Sequence, residues 1–155
     1  MLARDWLGTI RRYLCASLAL HFVWEMLQLP LYTLWTTGTL RQQAFAIVHC
    51  TGGDAMIAAG ALLLALILFG RSEWPAGKGL AVYSASLAIG VVYTAYSEWY
   101  NTTVSAQWAY ANAMPIVPFI GVGLTPLLQW IVVPTLAMWS AQARAPWTAA
   151  DDQRI

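Results

Sequence analysis

Hydrophobic residues fall into four long runs separated by short polar or glycine- and proline-rich breaks. The runs cover about residues 13–32, 44–69, 80–100 and 118–140. A bilayer core of about 30 Å takes about 20 mainly apolar residues of α-helix, so each run is long enough to cross. Thr37-Gly38, Gly70 with Trp74-Pro75-Ala76-Gly77, and Met114-Pro115 with Pro118 punctuate them, as glycine and proline do between regular elements. The pattern predicts an all-α integral membrane protein. One membrane domain, residues 1–155, holds an antiparallel bundle of four transmembrane helices, and residues 141–155 form a short cytoplasmic tail.

Polar residues inside the runs are spaced for helices. In the first run Ser17, His21, Glu25, Gln28 and Tyr32 follow one another at three or four residues, which is one stripe on a helix. Thr94, Glu98, Asn101 and Thr102 share a face of the third helix, and Thr125 and Gln129 a face of the fourth. His49 and Asp54, on the second, are about 140° apart around the axis. They aim at one centre only if Gly52-Gly53 distorts the turn. At about 1.5 Å per residue, every ionisable group in the spans lies at mid-depth or toward the outer side. Ala58 to Phe69 carries no polar side chain. The expectation is one cluster that opens outward, or sideways into the outer leaflet. The stretch between the third and fourth helices, Glu98 to Pro115, is rich in aromatics and predicts an interfacial segment, a short helix lying over that cluster as a lid.

Composition agrees with a membrane protein. Apolar residues make up 59% of the chain and charged ones 10%, where soluble domains carry about 25% charged. A net charge of +1 supplies no basic face for nucleic acid, and two cysteines do not make a disulfide scaffold. Arg4, Arg11 and Arg12 precede the first span, Arg71 and Lys78 lie between the second and third, and Arg144 and Arg154 follow the fourth; only Arg41 falls in another loop. The positive-inside rule then places both termini in the cytoplasm, and a bacterial inner (plasma) membrane is the expected location. Trp35, Trp99, Trp108 and Tyr110 would form the outer aromatic belt, and Trp6, Trp74, Trp139 and Trp147 the inner one.

Candidate chemistry follows from the intramembrane polar groups. A carboxylate at a helix centre costs roughly 2.5–3.5 kcal/mol on insertion scales, so Glu25, Asp54 and Glu98 have reason to be elsewhere unless they serve a site. No Lys or Arg accompanies them. An anion site would recruit such residues, so the guest expected is a cation, a proton or a neutral lipid-like molecule. Asp54, Glu25, His21 and His49 are the candidates for acid–base catalysis. Glu98, Asn101, Gln28 and Gln129 are candidates for contact with the guest, and Trp24, Trp99 and Trp108 for cation–π stabilisation of a developing carbocation. An isoprenoid- or sterol-like molecule undergoing isomerisation, cyclisation or hydration fits this set. Two other readings stay open. His21, Glu25, His49, Asp54 and Glu98 are also ligand types for a divalent metal, in a metal- or proton-handling protein. Alternatively the polar groups only bond helices together in a non-catalytic membrane subunit or assembly factor. The four helices make a narrow bundle, which leaves a homodimer open.

Overall fold

The computed structural model describes residues 6–71, 74–75 and 79–143. Arg4, Lys78, Trp147 and the tail from 144 onward, on which part of the expected orientation rests, lie outside the described residues. In order, the chain forms α1 (Trp6–Gln28), a 3-10 turn (Leu29–Leu31), a short α2 (Leu34–Thr37), α3 (Leu40–Phe69) and α4 (Gly79–Trp99). A π-helical turn (Tyr100–Val104), a hairpin of β1 (Ile116–Val117) and β2 (Val122–Gly123), and α5 (Leu124–Ala143) follow. Four segments, Trp6–Leu31, Leu40–Phe69, Gly79–Val104 and Leu124–Gln142, are long and apolar enough to cross a membrane.

The ends of these helices have local causes. Pro30 lacks an N–H and stands where α1 gives way to the 3-10 turn. Thr39 caps α3: its hydroxyl accepts from the Gln42 amide, and the Gln42 side chain accepts in return from the Thr39 amide at 2.8 Å. Pro126 sits in the first turn of α5, where its missing N–H costs nothing. Pro134 lies inside α5 without ending it, and one residue on the Thr135 hydroxyl bonds the Ile131 carbonyl.

The spans pack as a helical bundle in which α1 and α4 each contact both α3 and α5. Its polarity is inverted relative to a soluble protein. Every side chain that α1 buries carries a polar atom: Thr9, Tyr13, Ser17, His21, Glu25 and Gln28. Large apolar side chains such as Leu63, Ile67, Val92 and Trp139 face outward, as hydrocarbon requires.

Packing is uneven along the bundle axis. Tyr13, Ala58, Leu62, Ala65, Val82 and Ala137 belong to one apolar cluster near the end where α3 finishes. Alanines let the helix backbones approach closely there. Gly90 of α4 lies directly against the Trp130 ring, since a Cβ on it would fall 2.1 Å from the indole. The other half of α3, from Leu40 to Ile57, buries only Thr51. The helix is tightly packed over its second half and stands off from its neighbours over its first, which leaves a hollow.

Two expectations require correction. The fourth span begins at Leu124, not near residue 118. Residues 116–123 form the hairpin, with Ile116 opposite Gly123 and Val117 opposite Val122. This apolar run was legible as helix by hydropathy, but Pro115 and Pro118 break the ladder, and Phe119 and Gly121 adopt positive φ of 71° and 68°, outside any helix. The segment between α4 and α5 is also not a helical lid. Beyond the π-helical turn it is an irregular strap, tied to the end of α1 by Thr33 N–H to the Ala109 carbonyl and Ala111 N–H to the Leu31 carbonyl, both 2.9 Å.

Candidate functional site

The stripe on α1 turns His21, Glu25 and Gln28 into the bundle, where they meet Asp54 of α3 and Gln129 of α5. Gln129 is the hub. Its Nε2 lies 2.9 Å from His21 Nδ1, from Glu25 Oε1 and from Asp54 Oδ2. Gln28 Nε2 donates to Glu25 Oε1 at 2.7 Å and to Gln129 Oε1 at 3.3 Å. Amide orientation is fixed from outside the cluster. The Trp24 indole N–H can only donate, and it donates to Gln28 Oε1 at 3.1 Å. That sets which end of the Gln28 amide is nitrogen. Gln28 Nε2 then faces Gln129 Oε1, which points the Gln129 NH2 at the acids and the imidazole.

An NH2 group has two hydrogens, but three acceptors surround this one. The His21 Nδ1–Asp54 Oδ2 separation of 3.3 Å offers the resolution. With a proton on Nδ1, His21 donates to Asp54, and Gln129 serves both carboxylates. With the proton on Nε2, Nδ1 accepts from Gln129. The geometry accommodates either tautomer. His21 is fully enclosed, and its Nε2 has no hydrogen-bond partner among the described residues.

Glu98 makes a second acid centre at the end of α4. Its Oε2 accepts from Tyr110 O–H at 2.6 Å and from Tyr32 O–H at 3.2 Å, and Tyr110 O–H accepts in turn from the Gly123 amide at 3.0 Å. The Tyr32 and Tyr110 rings meet at 5.5 Å. Burial pushes both phenols above their ordinary value, and the adjoining Glu98 pushes them further. Both therefore stay protonated as donors to the carboxylate, and they hold the strap onto the helices.

The two acid centres line one cavity of about 1020 Å³. Glu25, Asp54 and Gln129 lie on its polar side, Glu98 and Tyr32 toward the strap, and Trp108 of the strap itself contributes to the wall. The walls from α1 and α5 are built of buried side chains, among them Gln28, Pro126 and Gln129. The exposed lining residues fall in two places: Phe45, His49, Met56 (74% exposed) and Tyr93 (51%) along α3 and α4, and Arg41, Gln42 and Gln107 where α3 begins beside the strap. The hollow therefore opens along the flank of α3 and α4 and also at the strap end, where α3 begins.

Comparison with protein-family models, curated proteins and solved structures finds no match. The chemistry of this site rests on its own geometry.

That geometry regroups the residues expected from sequence. His21, Glu25, Asp54, Gln28 and Gln129 come together. His49 does not join them. α3 passes through Gly52-Gly53 as unbroken helix, so the 140° offset persists, and His49 stays exposed and stacks on Phe45 at 5.5 Å. Trp24 and Trp99 lie outside the cavity lining: Trp24 orients Gln28, and Trp99, 45% exposed, packs beside Tyr96. Of the three indoles, Trp108 lines the cavity. Asn101 lines the cavity, but its amide is engaged locally with the Ser97 carbonyl at 2.8 Å and Ser105 at 3.2 Å. Among the described residues no group of three or more His, Cys, Asp and Glu side chains is disposed to hold a metal ion, so the five-ligand set does not assemble. Sequence reasoning missed the pairing of Tyr32 and Tyr110 on Glu98. The position of Tyr32 at the end of the polar stripe was the available signal.

Proposed function

We propose that this chain binds a lipophilic, isoprenoid- or sterol-like molecule within the membrane and acts on it by acid–base chemistry. In this reading the four spans form an antiparallel bundle with both chain ends in the cytoplasm, and the cavity opens into the outer leaflet. The observation that carries the reading is the form of the hollow. A guest dissolved in the bilayer reaches it between α3 and α4, past apolar Met56 and Phe45, and meets carboxyl and amide groups at the far wall. Pockets for small molecules commonly combine apolar walls with a few convergent polar groups. Asp54 and Glu25 are the proton donor and acceptor, with Gln129 holding them side by side and His21 behind Asp54. Glu98 and Trp108 contact the guest nearer the strap. No Lys or Arg hydrogen-bonds the acid cluster among the described residues, which favours a guest with a hydroxyl, an alkene or a positive charge there. Arg41, which sequence reasoning left outside the site, lines the same cavity at its strap end and suits a polar or anionic end of that guest.

Native mass spectrometry of the detergent-purified protein tests this directly, because it reads bound lipid, metal and stoichiometry together. Retention of a lipophilic molecule is expected, and Asp54→Asn and Glu25→Gln should abolish its conversion while the fold survives. A stoichiometric metal lost on Glu25→Ala would instead favour the metal-handling alternative. A protein without guest or metal whose five ionisable positions tolerate neutral replacement would favour the structural-subunit alternative.

A further inference from the structure

The acid cluster also has a polar connection running the other way, toward the end of the bundle remote from the cavity. The buried face of α1 continues from His21 through Ser17 and Tyr13 to Thr9, each one turn from the next. The distance from Glu25 back to Thr9 is about 24 Å at 1.5 Å per residue, most of a bilayer core. At the far end the Thr9 hydroxyl accepts from the Arg12 guanidinium at 3.1 Å, and Arg12 also bonds the Ala141 carbonyl at 3.0 Å. The Tyr13 phenol sits against the hydroxyls of Ser86 on α4 and Ser17. Around this seam Ala58, Leu62 and Val82 form an apolar wall, and Trp130 packs on His21 at 5.2 Å with its buried indole N–H also without a partner among the described residues. Hydroxyls in such a wall are costly unless they serve one another or a bridging water.

We propose that this seam carries protons between the aqueous phase beyond Thr9 and the Asp54–Glu25 pair, with His21 as the shuttle. Two observations support it. Ser17 and His21 lie one turn apart on α1, and Ser17 Oγ and His21 Nε2, both enclosed, have no hydrogen-bond partner among the described residues. They make a pair of polar ends for one bridging water, which needs at least two such partners. On its other side the imidazole faces Asp54 Oδ2 at 3.3 Å through Nδ1. A proton gained at Nε2 and released from Nδ1 to Asp54 leaves the ring neutral in its other tautomer, and the surroundings accept both tautomers. No electron moves and no bond to carbon is involved. The seam gives the acids a proton supply that remains open when a guest fills the cavity. The inference rests on the reading of Asp54 and Glu25 as proton-exchanging groups.

The test uses the full chain in phosphatidylcholine vesicles that contain a pH-sensitive dye, with a potassium diffusion potential set by valinomycin. Protein-dependent proton uptake is expected, because exposed Gln42 and Gln107 open the cavity to water at its strap end and so complete the path across the bilayer. Ser17→Ala and Tyr13→Phe should lower it toward the protein-free rate, while Leu18→Ala on the outward face leaves it unchanged. Each variant is melted in detergent first; if Tyr13→Phe does not fold, Ser17→Ala, which removes a single oxygen, decides. No uptake above protein-free vesicles overturns the proposal, and so does uptake undiminished in a folded Ser17→Ala. Guest retention by native mass spectrometry separates the two readings. A wild type that keeps its guest but passes no protons sinks the path alone, and one that keeps no guest sinks the binding reading.

Discussion

Single side chains here are decided by hydrogen-bond accounting. Gln129 serves two carboxylates and an imidazole with one NH2. Its replacement by Leu strands those acceptors in a low-dielectric interior, where each unsatisfied group costs about 1–3 kcal/mol. Gln129→Leu should therefore depress the thermal midpoint in detergent more than loss of any one hydrogen bond would. His49→Ala should leave it unchanged, because that ring is exposed at the mouth of the cavity and stacks on Phe45. Equal effects of the two substitutions would contradict the partition of the two imidazoles. Gly90 obeys a different constraint. With the Trp130 ring 2.1 Å from a built Cβ, Gly90→Ala forces the helices apart, and overpacking of this kind costs about 1–3 kcal/mol. Trp130→Leu combined with Gly90→Ala should recover part of that loss in the same melting measurement.

At the scale of elements, hydropathy made the four spans legible because a membrane helix leaves a run of some 20 apolar residues. The i, i+4 stripe on α1 made its inward face legible too, since the helix period alone decides which residues share a side. The start of α5 was not legible in the same way. Residues 116–123 are as apolar as a span, and Pro115 and Pro118 together with positive φ at Phe119 and Gly121 turn them into a hairpin. The path of the strap was also beyond sequence, as it depends on Thr33 and Leu31 meeting Ala109 and Ala111 across the chain. The looseness of α3 over its first half is a packing outcome, and it defines the side entrance. Met56 frames that entrance and is largely exposed, so enlarging it disturbs little packing. Met56→Trp should leave the melting temperature unchanged and reduce retention of the lipophilic guest in native mass spectrometry. Undiminished retention would place the entrance elsewhere, at the strap end.

For the whole molecule, sequence reached the membrane class and most of the main cluster, because helix register carries a side chain's direction over many turns. It did not reach the pairing of acids with tyrosines, which brings the end of α1, the end of α4 and the strap to one point. That junction also ties stability to pH. Tyr32 and Tyr110 both donate to Glu98, and burial holds both phenols above their ordinary value of 10.0. In the unfolded chain they ionise near that value, while the folded protein keeps its protons longer. Below pH 10 both states hold the phenolic protons and the contribution to stability is complete. Above it the unfolded state releases protons first, so stability declines as pH climbs toward the folded values. Melting in detergent across the alkaline range should show a plateau that bends downward above the ordinary tyrosine value. In Tyr32→Phe/Tyr110→Phe the plateau should start lower, because two charge-assisted bonds are gone, and its alkaline decline should be shallower. A decline just as steep in the double variant would mean that other groups control it, and that the strap is not held by protonated phenols.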